Sequence, residues 1–266
     1  MNYYRFNPPE TPMKRLFFAL FAFVLFLVSA AAQDLTCFEL RTYHAAPGKA
    51  VAMHARFRDH TVALFEKHGM TNILYGTTRT ESGEKGGNTL IYLLGYPDKT
   101  AREASWKAFL EDPEWSAVKS ASEKDGKLVG GMESLFLHLT DYSPAPPIAA
   151  ASGPRIIEMR RYTTLPGKLD SLDARFRDHT VKLFAKHGMT NLPYFHLDEG
   201  QDGNDVTLLY FLTHTSTDAM TTSFDSFRGD PDWITVRDAS EKDGRILIEK
   251  GVVSTVLDPT DYSPVK

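Results

Sequence analysis

The chain has 266 residues, of which 42% are hydrophobic and 24% charged, and its formal net charge is −4. This composition is typical of a folded protein with a packed core and excludes a chain that is disordered over most of its length. The acidic balance and the lack of basic runs interleaved with aromatic residues give no reason to expect a nucleic-acid partner.

The N-terminal segment has the pattern of a secretory signal peptide. Lys14 and Arg15 precede thirteen uncharged, apolar residues at 16–28, and small residues follow. Thirteen helical residues at about 1.5 Å each are too short for a bilayer core of about 30 Å. We therefore predict a signal peptide over residues 1–32, cleaved after Ala32, and a secreted or periplasmic mature protein with no permanent membrane span. An uncleaved anchor is the alternative.

Six segments in the first half of the chain alternate between strand-like and helix-like patterns. The strand-like segments are 37–44, 70–78, 89–96 and 132–140. The helix-like segments are 49–68 and about 98–123, the second broken near Asp112-Pro113. The order β-α-β-β-α-β is that of the ferredoxin-like split motif. The four-stranded antiparallel sheet of this motif carries helices on one face only, so its other face needs a cover.

The second half of the chain repeats the first. Residues 55–72 return at 174–191 with sixteen of eighteen positions identical, and other matching segments keep an offset of 118 to 120 residues. Insertions are therefore small, and the two copies should share one fold. A stretch rich in Pro, Ala and Gly separates them and is typical of a linker. We predict a first unit at 33–143, a linker at 144–153 and a second unit at 154–266.

Several motifs, each occurring once per unit and in the same order, resemble the NIPSNAP family. In the first unit they are Glu-Leu-Arg-Thr-Tyr with Pro-Gly-Lys (39–49), Arg-Phe-Arg-Asp-His-Thr with Lys-His-Gly-Met (56–70) and Asp-Pro-Glu-Trp (112–115). The resemblance implies the dimeric α+β barrel superfamily, in which two ferredoxin-like units pair their sheet faces. The expected fold is therefore α+β, with two tandem ferredoxin-like units that pair within one chain as a monomeric pseudo-dimer. Further oligomerisation stays open.

A polar trio on the first strand of each unit is the main candidate site. Its members are Glu39, Arg41 and Tyr43, and they recur as Glu158, Arg160 and Tyr162. The apolar residues between them are expected to pack under the helices, namely Phe38, Leu40, Ile157 and Met159, so that the trios point into the barrel. Such a trio can bind or activate a polar small molecule, with Glu or Tyr as the acid–base group and Arg holding an anion. The alternative is a Glu–Arg pair that only neutralises itself between the two sheets.

His60 and its counterpart His179 are the second candidates, as a base or a ligand. The alternative is a half-buried histidine held by a neighbouring backbone or carboxylate group. His60 and His68 lie eight residues apart, or about 12 Å along a helix, so one metal ion cannot bind both at about 2 Å. No metal site is predicted. Trp115 and Trp233 are expected to anchor the second helix of each unit in the core.

Two functions of different classes fit these patterns. The first is an exported, non-catalytic module that holds a small-molecule ligand or a protein partner, and the lack of a strong catalytic motif favours it. The second is a small-molecule enzyme, oxygenase-like or isomerase-like, acting in the barrel cavity, and the duplicated polar trio favours it. The resemblance implies no settled activity and no assigned cofactor; haem enters only by analogy with haem-degrading proteins of the superfamily.

Overall fold

The computed structural model describes Met1 and residues 34–79, 86–146, 153 and 155–266. Residues 2–32 of the predicted signal peptide and residues 147–152 of the predicted linker lie outside the described ranges. Within the described ranges, no helix is both long enough and apolar enough to cross a membrane.

The first unit contains the predicted elements in the predicted order. Its strands are β1 (Cys37–Ala45), β2 (Thr71–Thr78), β3 (Thr89–Tyr96) and β4 (Val129–Leu139). Its first helical region consists of α1 (Ala50–Arg56), a π-helical turn (Phe57–Thr61) and α2 (Val62–Lys67). Its second helical region consists of α3 (Lys99–Glu111) and α4 (Pro113–Ser122).

The second unit repeats this arrangement. Its strands are β5 (Ile156–Thr164), β6 (Thr190–Leu197), β7 (Thr207–His214) and β8 (Leu247–Pro259). Its helical segments are α5 (Leu169–Arg175), a π-helical turn (Phe176–Thr180), α6 (Val181–Lys186), α7 (Thr217–Gly229) and α8 (Pro231–Ser240).

The predicted break between α3 and α4 is set by Asp112 and Pro113. The backbone of Asp112 is extended, and its carboxylate accepts a hydrogen bond from the Glu114 amide at 2.7 Å, which caps α4. Pro113 follows at the first helical position, where its missing N–H costs no hydrogen bond. The π-helical turn was not predicted. There the Thr61 hydroxyl donates to the Arg56 carbonyl at 3.1 Å.

The eight strands close into one barrel in the order β1-β3-β2-β8-β5-β7-β6-β4. Two seams join the units, and all strand neighbours in the barrel are antiparallel. At the β2–β8 seam, residues 76–78 pair with 257–259; at the β4–β6 seam, residues 137–139 pair with 195–197. The predicted α+β fold, with two ferredoxin-like units pairing within one chain, is therefore confirmed.

The barrel interior is apolar, so the predicted orientation of the first strands is wrong. One core cluster draws on both units and includes Phe38, Leu40 and Ile157, with Met159 packed against it. The rings of Phe38 and Phe195, from different units, lie 5.1 Å apart. The polar trios therefore lie on the opposite face of the sheet, under the helices. A carboxylate in the dry interior would cost several kcal/mol without partners, whereas the helices offer donors on the other face.

Candidate functional site

Glu39 is fully buried between β1 and α3, where it organises the polar side of the sheet. Five side chains donate to its carboxylate: Arg41, Tyr96, Arg102, Trp106 and Ser134. Arg102 binds it through Nε and Nη2, each at 3.0 Å. Burial by itself would raise the pKa of Glu39, but the hydrogen bonds and charges of Arg102 and Arg41 outweigh it and hold the pKa below its usual value. Glu39 is therefore an ionised anchor.

Arg41 lies between two aromatic rings at the edge of this anchor. Its guanidinium carbon is 4.4 Å from the centre of the Trp106 ring and 5.5 Å from that of Tyr43. Nη2 also donates to the Tyr43 hydroxyl at 3.2 Å. The buried Nε has no hydrogen-bond partner in the part of the chain that the structure describes. The trio of Glu39, Arg41 and Tyr43 is thus assembled, but beneath α3 and not inside the barrel.

A cleft of about 610 Å³ opens beside this trio, between the outer face of the sheet and the two helices α3 and α4. We call it the α3–α4 cleft. Its apolar lining consists of Trp106, Phe109, Leu110, Trp115, Val129 and Met132. Leu110 and Met132 are 62% and 54% exposed, so the apolar surface continues out to the mouth. The volume is within the range of small-molecule sites, about 300–1,000 Å³.

The α3–α4 cleft carries an excess of positive charge. Two carboxylates, Glu39 and Glu123, face five cations: Arg41, Arg56, Arg102, Lys119 and Lys127. Arg56 is paired with Glu123 at 2.8 Å, and its guanidinium carbon lies 5.3 Å from the Trp115 ring centre. Lys119 and Lys127 are exposed, and neither forms an ion pair with a described residue. The mouth of the cleft therefore offers two free ammonium groups beside an apolar surface.

The second unit keeps its trio but changes the surroundings. Arg160, His214 and Ser254 bind the buried carboxylate of Glu158. Where the first unit has Tyr96, Arg102 and Trp106, the second has His214, Met220 and Phe224. The guanidinium carbon of Arg160 lies 4.4 Å from the Phe224 ring centre, in place of the Arg41–Trp106 contact. The two units are therefore alike in fold and different in site chemistry.

The candidate histidines are not part of the trio. His60 and His179 are exposed and lie in the π-helical turns. They line separate grooves of about 570 and 530 Å³, one between the first helical region and α4 and the other between the equivalent region of the second unit and α8. Across the described ranges, no group of three or more His, Cys, Asp or Glu side chains is arranged to hold a metal ion.

Most of the residues that line the α3–α4 cleft were not predicted from the sequence. Arg102, Trp106, Lys119 and Lys127 were not singled out, and Trp115 was expected in the core. Trp115 is half-buried, packs 4.5 Å from the Phe109 ring and lines the cleft. One signal was available: Arg102 and Trp106 lack counterparts in an otherwise close repeat. A position at which two copies of one fold differ in chemistry is a candidate for function.

Comparison with known proteins gives the same architecture. No curated protein matches the chain. A "putative monooxygenase" of Lactobacillus acidophilus NCFM shares 10% identity over 85% of this chain and 94% of its own, with a TM-score of 0.52. One of the same name from Fusobacterium nucleatum shares 12% identity over 85% and 93%, with a TM-score of 0.53. At such identity the likeness shows the fold alone.

The family comparison is more specific. An uncharacterized NIPSNAP-like domain protein from Burkholderia xenovorans shares 24% identity over 42% of this chain and 92% of its own, with a TM-score of 0.36. The NIPSNAP family model matches this chain twice, over residues 38–144 and 157–264. Because the two matches together cover most of the sequence, the chain belongs to the NIPSNAP family.

Proposed function

We propose that this NIPSNAP-family protein is a non-catalytic ligand-binding module, and that the α3–α4 cleft of its first unit takes one organic anion with an apolar, ring-containing body. The observation that carries the proposal is that one cleft of suitable size contains two indole rings together with Lys119 and Lys127, which have no ion-pair partner among the described residues. Both halves of such an amphipathic ligand have a matching surface there.

The walls of the cleft suit the apolar half of the ligand. Trp106 and Trp115 are each half-buried and present ring surface to the cleft. Aromatic side chains favour stacked or edge-to-face contacts with other rings, worth about 0.5–1.5 kcal/mol beyond the area that they bury. Leu110 and Met132 leave further apolar area open to solvent. A ligand that covers these four side chains removes that area from water.

The charges of the cleft suit the acidic half of the ligand. The carboxylate of Glu39 is saturated by its own donors, and that of Glu123 is taken by Arg56. Lys119 and Lys127 then remain for a ligand, and an ammonium group binds a carboxylate, sulfonate or phosphate as a point charge. An anionic ligand also avoids the repulsion that a cation would meet in this cleft.

The alternative, an enzyme that acts in the barrel cavity, has less support, because the described residues that face the barrel interior form an apolar core cluster of both units. The two structural neighbours named as monooxygenases support a shared fold and no reaction. Chemistry in the α3–α4 cleft would show itself as conversion of a bound ligand, and the binding assay below can be followed by mass spectrometry for that purpose.

The binding test uses anilinonaphthalene sulfonate, a fluorescent aromatic anion. The chain has three tryptophans, and Trp233→Phe leaves only those of the cleft as reporters. We expect saturable 1:1 binding that quenches their fluorescence, and much weaker binding of the uncharged probe phenylnaphthylamine. Lys119→Glu and Lys127→Glu should each weaken sulfonate binding by roughly tenfold, which corresponds to about 1.4 kcal/mol.

The matched control is Arg237→Glu, at the position of the second unit that corresponds to Lys119. It changes the net charge by the same amount but lies outside the cleft, so affinity should stay within a factor of about two. Equal weakening by Arg237→Glu and Lys119→Glu would mean that the probe responds only to overall charge. Unsaturable quenching would mean that the cleft is not a site.

Export of the protein is a separate proposal. It rests on the basic, apolar and small-residue order of residues 1–32. N-terminal sequencing of the protein recovered outside the cytoplasm should begin at Gln33. Recovery with residues 1–32 intact would favour an uncleaved anchor.

A further inference from the structure

We propose that His138 and His196 form a binding site for a divalent transition ion of the Zn²⁺ class, on the outer surface of the β4–β6 seam. The proposal does not depend on the α3–α4 cleft, because it concerns the strands that join the two units. It starts from the pairing of the strands.

His138 on β4 and His196 on β6 are direct partners across the antiparallel seam. The neighbouring residues Leu137 and Phe195 belong to the core cluster of the barrel interior, so both histidines lie on the outer face. Their ring centres are 5.7 Å apart and the ring planes are inclined by 74°. With Zn–N bonds of about 2.1 Å, two imidazoles that share one tetrahedral ion have ring centres about 5.3 Å apart. The observed separation is slightly larger, and a small rotation of the half-exposed His138 side chain would close the difference.

Each histidine is held by a carboxylate through one nitrogen. Nδ1 of His138 lies 2.9 Å from Oδ1 of Asp198, and Nε2 of His196 lies 3.1 Å from Oδ1 of Asp173. The remaining nitrogens, Nε2 of His138 and Nδ1 of His196, form no hydrogen bond with any described residue. A carboxylate behind a metal-binding histidine sets its tautomer and orientation and raises its basicity. Both histidines have this support.

The two histidines have carboxylates beside them and are open to solvent, and both properties favour the binding of a cation. Tyr142 donates to Asp173 at 2.7 Å, which holds that carboxylate in position. Asp173 and Asp198 place two negative charges directly behind the imidazoles. The His138 side chain is 48% exposed, so an ion and its remaining water ligands can reach the site. Imidazole nitrogens suit Zn²⁺, Cu²⁺ and Ni²⁺ far better than Mg²⁺.

The other seam provides an internal comparison. At the β2–β8 seam the corresponding cross-strand pair is Thr77 and Asp258, and Asp258 is bound to Arg79 at 2.7 Å. An ion pair between the units thus holds the β2–β8 seam. The β4–β6 seam has instead two histidines, each with one nitrogen that forms no hydrogen bond with a described residue. An ion bound there would tie β4 to β6 and stabilise the closed barrel over the unfolded chain.

The test titrates Zn²⁺ into the full-length protein after treatment with EDTA. Competition with a chromophoric chelator gives the affinity and stoichiometry, and thermal unfolding gives the change in Tm. We expect one Zn²⁺ per chain and a rise in Tm that Mg²⁺ does not reproduce. His138→Ala and His196→Ala should each lower the affinity at least tenfold, and Asp198→Asn by about tenfold, the lower end of the effect of such supporting carboxylates.

His60→Ala is the matched control, since His60 is exposed and lies outside the seam; its Zn²⁺ affinity should equal that of the unaltered chain. Before the titration, thermal unfolding in EDTA checks that each metal-free variant is folded. If His138→Ala shows no cooperative transition, His138→Gln is used in its place. No Zn²⁺ binding by the unaltered chain, or equal binding by the seam variants, would overturn the proposal.

Discussion

Two glutamates that occupy the same position in the repeat are neutralised differently. Glu39 lies between Arg41 and a bidentate Arg102. Glu158 has one arginine, Arg160, and completes its shell with His214 at 3.0 Å. The Glu39 carboxylate therefore keeps one arginine partner when the other arginine is removed. Removal of Arg160 leaves the Glu158 carboxylate with no arginine partner among the described residues.

Replacing the strand arginine should therefore have unequal effects in the two units. Arg160→Met leaves a buried carboxylate without its arginine, and we expect a loss of about 3–5 kcal/mol of stability, the range for breaking a buried pair. Arg41→Met leaves Arg102 in place, so we expect about 1.5–3 kcal/mol, the value of hydrogen bonds to a charged group. Urea unfolding at neutral pH measures both. Equal losses would contradict the unequal compensation.

The lowered pKa of Glu39 predicts a pH dependence of stability. Its folded-state pKa lies below the ordinary value of 4.5, so its contribution is present above about pH 4.5 and is lost as the pH falls through the folded-state value. Glu39→Gln should thus be much less stable than the unaltered chain near pH 7, and the difference should shrink in acid. Glu111→Gln, at an exposed position, should match the unaltered chain throughout. A difference that does not vary with pH would contradict the prediction.

At the scale of elements, the short segments that end the two units exchange contacts. Ser263, after β8, accepts a hydrogen bond from the Tyr75 amide on β2 at 2.9 Å. Ser143, after β4, accepts one from the Tyr194 amide on β6 at 2.9 Å. These serines belong to a Thr-Asp-Tyr-Ser-Pro motif that occurs at 140–144 and again at 260–264. In each copy the serine satisfies a backbone donor on an edge strand of the other unit.

Removal of these hydroxyl groups should destabilise the barrel. Ser263→Ala and Ser143→Ala each leave a backbone N–H without its partner, and we expect a loss of about 1–3 kcal/mol in each case. Ser120→Ala, at an exposed helical position, should change stability by less than about 0.5 kcal/mol. Chemical unfolding of the three variants makes the comparison. A loss confined to one of the two motif serines would show that the seams are not equivalent.

At the scale of the whole molecule, neither unit has a complete core. The barrel interior is one cluster drawn from both units, and the outer edges of the edge strands β2, β4, β6 and β8 pair with strands of the other unit. Burial of apolar surface contributes about 25 cal/mol per Å², so an unpaired sheet face would leave many kcal/mol unrealised. The tandem repeat supplies the second sheet within the same chain.

An isolated unit should therefore not persist as a folded monomer. A fragment of residues 33–143 is expected to dimerise or aggregate at micromolar concentration, whereas the chain with both units should form its barrel within one molecule. Size-exclusion chromatography with light scattering distinguishes these outcomes. A stable, cooperatively unfolding monomer of the fragment would contradict the argument.

Local signals in the sequence were sufficient for the element order, the break at Pro113 and the pairing of two ferredoxin-like units. Periodicity and the Asp112-Pro113 break depend on residues near one another in the chain, and the repeat shows itself because long segments of the two halves match closely. The π-helical turns were not predicted. Both have the sequence Phe-Arg-Asp-His-Thr, and this sequence is also compatible with a regular α-helix.

The orientation of β1 and the cleft were decided by tertiary structure. Period-two alternation separates Glu39 and Arg41 from Phe38 and Leu40, but it does not say which face is inside. The donors that settle the question, Arg102 and Trp106, lie more than sixty residues away on α3. Only the closed barrel makes one face a dry interior, where apolar side chains are favoured, and leaves the charged face to the helices.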